Sequence, residues 1–175
     1  RETNDANSRL KFGVSPLLSG RDVTLILREI VPEHNGGFEI EFGESTQLQT
    51  RQDLDVRVSL PSMRKKSAIC VDLPCRWIGV NNGIFIYCNQ ESEVWQRARS
   101  VLLNSGTPVR KTITVNDCGY AYHMAAAGAG FTPCVLTANI SFRDHVIDHL
   151  PPLPSVRVDI FAQHEIAGRL RMVLQ

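Results

Sequence analysis

Two histidines four residues apart are the first candidates for chemistry in this sequence. His145 and His149 are accompanied by Asp144 and Asp148. On a helix this spacing would place both imidazoles on one face, where they could hold a metal ion. The segment lacks the glutamate of the zinc-protease helix and runs directly into prolines. We therefore interpret it as a polar surface loop and predict no metal-binding residues.

Cysteine and histidine pairs are the second candidates, because a thiolate beside an imidazole can act as a nucleophile. Cys118 is near His123 and Cys134 is near His145 in the sequence, but neither pair has the local signature of a thiol enzyme. The chain has five cysteines, an odd number, and no C-x-x-C spacing. We predict reduced, mostly buried thiols in a non-oxidising compartment, no catalytic residues and no enzyme activity.

Other conspicuous residues favour a structural interpretation. The sequence Gly128-Ala-Gly130 is not a phosphate-binding loop, because no Lys-Ser/Thr follows it. The basic cluster Arg64 to Lys66 is interpreted as a solvated turn, and the glycosylation sequon at Asn139 as idle within a predicted strand. Trp77 and Trp95 lie on apolar faces and are predicted to anchor the core. The sequence thus predicts no cofactor and no cofactor-binding residues.

Length and charge restrict the class of protein. A chain of 175 residues is one domain, or one domain with a small appendage. Its formal net charge of +1 does not favour binding nucleic acid through bulk charge. No apolar run approaches the roughly 18 residues of a membrane span, and the first residues lack an apolar signal region. We predict no membrane partner.

The elements that must position these residues are organised around the middle of the chain. Leu54 to Leu60 alternates apolar and polar side chains, which is typical of a half-buried strand in an antiparallel sheet. That alternation puts Arg57 and Ser59 on the polar face. Two further strand-like runs follow, Ala68 to Trp77 and Ile84 to Cys88. We predict that these runs form the centre of a β sandwich or barrel.

The rest of the pattern predicts short strands and one helix. Ser92 to Asn104 has helical spacing, with Ser92 as its N-cap. Tyr120 to Ala127 is compatible with a strand or a short helix, and Arg169 to Leu174 with a strand or an extended tail. The other predicted strands are Val23 to Val31, Phe38 to Phe42, Thr112 to Val115, Cys134 to Phe142, and Val156 to Ala162.

Seven to nine strands, a helix at about residues 92–104 and long connections predict an all-β fold. The arrangement that suits them best is a jelly roll or Greek-key β sandwich. We predict an N-terminal arm at residues 1–20 and a single jelly-roll domain at residues 21–175. Residues 10–20 are expected to be extended or irregular.

The order of these elements resembles the small coat protein of comovirus-type (secovirid) plant picorna-like viruses, whose domain is a single jelly roll. The residues that carry the resemblance are Asp22 to Thr24, Ile84 to Tyr87, Gln90 to Ser92, Arg97 to Arg99, Val156 to Ile160, and Ile166 to Gly168. The resemblance implies a structural capsid subunit of a non-enveloped icosahedral virus. The implied partners are further copies of the chain, other coat protein subunits and the enclosed genomic RNA. The implied localisation is the virion, after synthesis in the host cytoplasm.

Two alternatives come from weaker resemblances. The strand, Pro74 to Trp77, a second strand and then the helix are similar to a PilZ-type cyclic-dinucleotide-binding module. However, Arg21 and Arg28 are wrongly spaced for the arginine pair of that family, and the turn at Glu33 to Gly37 lacks its serine. The same stretch is similar to dUTPase-related viral proteins, without their catalytic aspartate. Under the coat-protein interpretation, Arg1 and Gln175 are candidate polyprotein processing ends, because picorna-like proteases cut after glutamine.

Overall fold

The computed structural model describes residues 9–30, 36–62, 69–137 and 142–175. Its residues divide into two compact units, one made of residues 1–71 and 157–175 and the other of residues 72–156. The elements in chain order are β1 (Leu10–Val14), α1 (Gly20–Ile30), β2 (Phe38–Phe42), α2 (Ser45–Leu48), β3 (Val56–Ser59), β4 (Ile69–Leu73), β5 (Cys75–Gly79), β6 (Ile84–Cys88), α3 (Ser92–Asn104), β7 (Lys111–Val115), α4 (Cys118–Ala126), β8 (Phe131–Val135), β9 (Val156–Phe161) and α5 (His164–Leu174).

The first unit is built on a five-stranded mixed sheet with the strand order β2-β1-β3-β9-β4. β1 pairs in parallel with β2 and with β3, whereas β9 is antiparallel to β3. Two parallel strands need a crossover connection, which returns the chain to the end of the sheet where the first strand began. Here α1 and α2 lie in those crossovers, so helices and strands alternate along the first sixty residues.

The second unit contains a four-stranded mixed sheet with the order β5-β8-β6-β7. β6 is parallel to both β7 and β8, and β5 is antiparallel to β8. Two helices again provide the crossovers, α3 between β6 and β7 and α4 between β7 and β8. Aromatic rings fill the core: the ring of Trp77 lies 5.5 Å from that of Phe131 and 6.1 Å from that of Phe85, centroid to centroid.

The predicted strand at Val23 to Val31 is wrong, because the described residues of that segment lie in α1. Its buried apolar residues Val23, Ile26 and Ile30 follow helical spacing. A reciprocal cap begins the helix: the Ser19 hydroxyl accepts a hydrogen bond from the backbone N–H of Asp22 at 3.2 Å, and Asp22 Oδ2 accepts one from the backbone N–H of Ser19 at 2.8 Å. The cap and the apolar stripe outweigh the strand propensity of the β-branched residues.

The C-terminal segment is also helical, so both alternatives predicted for Arg169 to Leu174 are wrong. Ala167, Leu170 and Leu174 are buried at spacings of three and four, which places them on one face of α5. For Tyr120 to Ala127, the helix is the correct one of the two alternatives, since α4 covers all of that segment except its last residue.

β3 differs from the half-buried strand that its alternation predicts. Arg57 is 4% exposed and Ser59 is 1% exposed, because β3 is an inner strand of the sheet and both of its faces are covered. The Arg57 guanidinium lies 5.1 Å from the centre of the Phe161 ring. Burial lowers the pKa of Arg57, and the charge of Asp159 opposes that shift. Among the described residues, neither Arg57 Nε nor Asp159 Oδ1 has a hydrogen-bond partner.

The all-β jelly roll is therefore wrong as a fold class, and the fold is α/β with two mixed sheets. A jelly roll is built from antiparallel strand pairs. Most of the strand pairs here are parallel, and helices connect the paired strands along the chain. Residues 10–14, which we placed in the N-terminal arm, form β1 inside the first sheet, and residues 1–8 lie outside the described residues. Within the described residues, no helix has the length and apolar composition that crossing a bilayer requires.

Candidate ligand-binding site

The polar loops of the second unit meet where parallel strands end. β6 is parallel to β7 and to β8, so the carboxyl ends of all three strands lie at one edge of the sheet. In open α/β sheets, ligands bind outside the carboxyl ends of the strands. The loops after β6 and β7 supply Asn89, Gln90, Glu91, Asn116 and Asp117. We call these five residues the carboxyl edge.

Hydrogen bonds hold the two loops of the carboxyl edge together. Asn89 Nδ2 donates to Asn116 Oδ1 at 3.0 Å, and the backbone N–H of Asn89 donates to the carbonyl of Val115 at 2.9 Å. Gln90 Oε1 accepts from the backbone N–H of Cys118 at 3.2 Å. The Asn89 and Asn116 side chains are exposed, so their remaining donor and acceptor positions can reach a bound molecule.

The N-terminus of α3 opens at the carboxyl edge without a capping side chain. Its N-cap residue is Glu91, at φ 49° and ψ 40°, and no side chain of the described residues caps the helix. A left-handed conformation costs a residue other than glycine about 1–2 kcal/mol, and such strain is often found at functional sites. The first N–H groups of a helix, together with its dipole, attract a carboxylate or another anion.

The N-terminus of α4 is satisfied from within the chain. Asp117 Oδ1 accepts from the backbone N–H of Tyr120 at 3.0 Å, and Gln90 accepts from Cys118 as described above. Tyr120 itself is 70% exposed at the first turn of α4. The carboxyl edge thus combines an uncapped helix start, three amides, two carboxylates and a neighbouring exposed aromatic ring. Such a set can bind a small molecule that carries a carboxylate and hydroxyl groups.

The first unit has a corresponding edge after its own parallel strands, and there the polar groups bond to one another. Ser45 Oγ accepts from the backbone N–H of Leu60 at 2.8 Å, and Gln49 Nε2 donates to the Leu60 carbonyl at 2.8 Å. The backbone N–H of Ser15 donates to the carbonyl of Val58 at 2.8 Å. This edge is a second group of polar residues at the carboxyl ends of parallel strands, and its two serines, Ser15 and Ser45, are buried.

The histidines that the sequence singles out lie apart from the carboxyl edge. His145 lies in a 3₁₀ turn at Arg143–His145, and His149 Nε2 is 3.3 Å from Asn81 Nδ2. Both are exposed. In the described ranges, no three or more His, Cys, Asp or Glu side chains are grouped so that they could hold a metal ion. The predicted absence of a metal site stays a prediction.

The cysteines are free thiols in this structure, and all are buried except Cys70, which confirms that they are mostly buried. The reduced state and the non-oxidising compartment stay predictions. Burial raises the pKa of Cys75 to about 12. Contact with Cys88 and then burial raise the pKa of Cys118 far above the ordinary value. The Cys118 sulfur contacts Cys88, whereas the exposed His123 packs its ring edge-on against Phe142 at 5.7 Å. The arrangement that activates a thiol nucleophile is therefore not formed by Cys118 and His123.

Both tryptophans anchor the core, as predicted. Trp77 is 2% exposed, and its Nε1 donates to the carbonyl of Pro151 at 2.7 Å. Trp95 is fully buried, and its Nε1 donates to Thr132 Oγ1 at 2.9 Å and to the carbonyl of Ile86 at 3.2 Å. An indole N–H that is buried needs such a partner.

Several sequence-predicted positions fall outside the described residues, namely Arg1, Arg64 to Lys66, and Asn139 to Ser141. Gln175 follows α5, and its Oε1 accepts from Arg171 Nε at 3.2 Å. The assignment of Arg1 and Gln175 as processing ends stays an untested prediction.

Sequence reasoning missed the carboxyl edge. The available signal was a run of amide and carboxyl residues directly after Cys88 and again after Val115, each followed by a helical pattern. That signal becomes specific only when the two strands are known to be parallel neighbours, because their carboxyl ends then lie side by side.

Comparison with known proteins shows the fold. No family model and no curated protein sequence matches this chain. Among solved structures, it is similar to the OxyR2 E204G regulatory domain from Vibrio vulnificus, with a TM-score of 0.67, 14% identity, and coverage of 97% of this chain and 96% of that one. The regulatory domain of CcmR from Synechocystis PCC6803, in complex with 2-PG, has a TM-score of 0.65, 13% identity, and coverage of 95% and 97%.

The effector-binding domain of QuiR, in complex with shikimate, is a third similar structure. It has a TM-score of 0.60 and 8% identity, and the match covers 96% of this chain and 95% of that one. These neighbours are effector-binding domains of bacterial LysR-type regulators.

The match overturns the coat-protein resemblance and what it implied. The capsid function, the partnership with other coat subunits and enclosed RNA, and the virion localisation are all wrong. The short strand patterns that carried the resemblance are common to many sheets. The first of them, Asp22 to Thr24, lies in α1. Of the alternatives, a ligand-binding module fits the structure better than the capsid subunit.

Proposed function

We propose that this chain is the ligand-binding regulatory domain of a LysR-type transcription regulator. The observation that carries the proposal is the extent of the structural match, which covers 95% or more of both chains for three regulatory or effector-binding domains. A match of that extent includes both sheets and the crossovers between their strands. It accounts for the whole chain with one architecture and needs no separate explanation for either unit.

The chemistry of the carboxyl edge supports a small hydroxylated carboxylic acid as the effector. The uncapped start of α3 offers backbone N–H groups to a carboxylate. Asn89 and Asn116 offer amide donors and acceptors, and Asp117 offers a carboxylate oxygen to hydroxyl donors. A ligand with several negative charges fits less well, because Glu91 and Asp117 would repel it. Shikimate is the molecule bound to the similar QuiR domain.

The proposal keeps the expectation that the chain is not an enzyme. Regulatory domains bind an effector and change the properties of the protein that contains them, without a chemical step. The burial and raised pKa of Cys75 and Cys118 support this part of the proposal, since a nucleophilic cysteine needs a lowered pKa and access to substrate.

Calorimetric titration of the purified chain tests the proposal. The titrants are shikimate and other hydroxylated carboxylates, with inorganic phosphate and an uncharged polyol as comparison ligands. We expect at least one hydroxylated carboxylate to bind with heat release and to raise the thermal midpoint, because a ligand that binds only the folded state stabilises it. Phosphate should bind more weakly than that carboxylate.

Two variants locate the binding. Asn116→Ala removes an amide from the carboxyl edge and should weaken binding roughly tenfold, the equivalent of about one charge-assisted hydrogen bond. The matched control is Ser100→Ala, since that exposed hydroxyl donates a hydrogen bond within α3, to the carbonyl of Gln96. Equal affinity of the two variants would refute the assignment of the carboxyl edge. Failure of every carboxylate to bind would refute the proposed effector class.

A further inference from the structure

Two buried thiols in the second unit are in contact. Cys88 is the last residue of β6 and Cys118 is the first residue of α4. Their sulfur atoms are 3.7 Å apart, and neither side chain is exposed. A disulfide bond is about 2.05 Å long, so the sulfurs are not covalently bonded, and the Cys88 thiol donates a weak hydrogen bond to the Cys118 sulfur.

We propose that Cys88 and Cys118 are an intramolecular disulfide site, oxidised by small disulfide compounds and reopened by thiols. The proposal goes beyond the proposed function and does not depend on it. Bond formation requires the sulfurs to approach by roughly 1.7 Å. Both residues are at the ends of their elements, so small side-chain rotations and a slight shift of the first turn of α4 can supply that movement.

The reaction balances as two successive thiol–disulfide exchanges. In the first, the thiolate of one cysteine attacks a sulfur of the oxidant, a new S–S bond forms, and one thiol of the oxidant leaves and takes up the proton. In the second, the other cysteine attacks the mixed disulfide, and the second thiol leaves in the same way. The two cysteines lose two electrons and two protons in total, and one oxidant disulfide becomes two thiols.

The surroundings predict a slow reaction. Both thiols are buried, and the pKa of Cys118 is raised by its contact with Cys88 and by burial. The carboxylates of Glu91 and Asp117 also raise that pKa. Thiolate is the reacting form, so exchange needs transient opening of the site, and equilibrium has to be approached over long incubation. Cys70 is exposed and should react first, without forming this bond.

A bond at this position would act on the carboxyl edge. Gln90 follows Cys88 by two residues, and its side chain accepts the hydrogen bond from the backbone N–H of Cys118. The cross-link would fix the start of α4 to the end of β6 on the inner side of that contact. The two loops of the carboxyl edge would then be joined covalently as well as by the bond between Asn89 and Asn116.

The test uses the full chain with Cys70→Ser, which removes the exposed thiol. The protein is equilibrated in glutathione redox buffers, acid-quenched, alkylated in denaturant and mapped by mass spectrometry after proteolysis. We expect a reversible cross-linked peptide that joins residues 88 and 118. We also expect a thermal midpoint about 5–10 °C above that of the reduced protein, because the bond closes a long loop.

Matched variants and an unfolded control decide the outcome. Cys88→Ala and Cys118→Ala should each abolish the cross-link, whereas Cys134→Ala should keep it. If an alanine variant does not fold, the peptide map of the parent protein still decides the question. The proposal is overturned if the folded chain stays reduced in buffers that oxidise the same chain in urea, or if the cross-link joins other cysteines. Ligand titrations play no part in this readout, so its failure leaves the proposed function unaffected.

Discussion

Replacing Gly79 with alanine should destabilise the second unit more than a change of one methyl group usually does. Gly79 ends β5 at φ +107°, a region that side chains other than glycine rarely adopt. A Cβ added there would lie 2.1 Å from the carbonyl oxygen of Gly130 and 3.0 Å from the Cβ of Ala125. The same carbonyl accepts the hydrogen bond from the backbone N–H of Val80 at 2.9 Å.

The expected loss can be estimated from these contacts. The left-handed backbone costs about 1–2 kcal/mol, and overpacking a tight site costs about 1–3 kcal/mol. The hydrogen bond from Val80 contributes about 1 kcal/mol and is lost if the strands separate to relieve the clash. Together these effects predict a loss of about 3–6 kcal/mol in the free energy of unfolding. At about 2–4 °C per kcal/mol for a chain of this size, the thermal midpoint should fall by about 6–24 °C.

Urea unfolding and calorimetry measure this loss, with Gly128→Ala as the control. Gly128 has a similar backbone, φ +88°, but nothing lies within 4 Å of an added Cβ. The control should therefore lose only the backbone contribution of about 1–2 kcal/mol. If the two variants were equally stable, the close approach of Gly79 to Gly130 could not be the reason for glycine at position 79.

Three further outcomes follow from other sites. Gly168→Ala, in the middle of α5 where an added Cβ meets nothing within 4 Å, should raise the free energy of unfolding by about 1 kcal/mol in urea titrations, and a loss would contradict the open space there. Burial raises the pKa of Cys75 from 9.0 to about 12. Protonation of the Cys75 thiol therefore leaves the free energy of unfolding unchanged below about pH 9. As the pH rises from about 9 to about 12, that free energy should fall by up to about 1.4 kcal/mol per pH unit. The measurement is the urea midpoint of unfolding as a function of pH. Between about pH 9 and 12 the midpoint should fall less steeply in Cys75→Ala than in the parent protein. Thr132→Val removes the hydroxyl that accepts from Trp95 and donates to the Ile86 carbonyl at 2.8 Å. It should cost about 1–3 kcal/mol and shift the Trp95 fluorescence, whereas Thr132→Ser keeps the hydroxyl and should leave the emission unchanged.

The elements best predicted from the sequence are those with an unambiguous local pattern. The helix at Ser92 to Asn104 and the strands Phe38 to Phe42 and Ile84 to Cys88 have the predicted bounds. Each has one periodicity, bounded by turn or breaker residues. The observed N-cap of the helix is Glu91, whereas the sequence predicts Ser92. Glu91 has a left-handed backbone conformation, which the sequence pattern does not predict.

The two elements that decided the fold class had mixed signals. Val23 to Ile30 contains β-branched residues that favour a strand, but its apolar residues recur at helical spacing, and Ser19 with Asp22 forms a recognisable cap. The helix at His164–Leu174 was not predicted, because only the short apolar run at its end was interpreted as an element. With the first segment interpreted as a strand and the second as a strand or an extended tail, the sequence pattern does not show the alternation of strand and helix that indicates parallel sheets.

The candidate site could not be predicted, because it depends on pairing between distant segments. Nothing local to Cys88 or Val115 shows that their strands are parallel neighbours, paired residue by residue from Ile84 with Lys111 to Cys88 with Val115. The burial of Arg57 was missed for the same reason. Its strand looks half-exposed in isolation and becomes an inner strand only after β1 and β9 pair on either side of it.

The second unit is one uninterrupted stretch of chain, whereas the first is formed from two separate stretches. The chain leaves the first unit within β4 and returns to it within β9, and these two strands are neighbours in one sheet. Neighbouring strands are about 4.8 Å apart. The sequence is thus arranged as a host with an insertion whose two junctions lie side by side. We therefore expect that residues 72–156 could be replaced by a short linker or exchanged with the equivalent stretch of a similar protein, because the two strands that flank them are hydrogen-bonded neighbours.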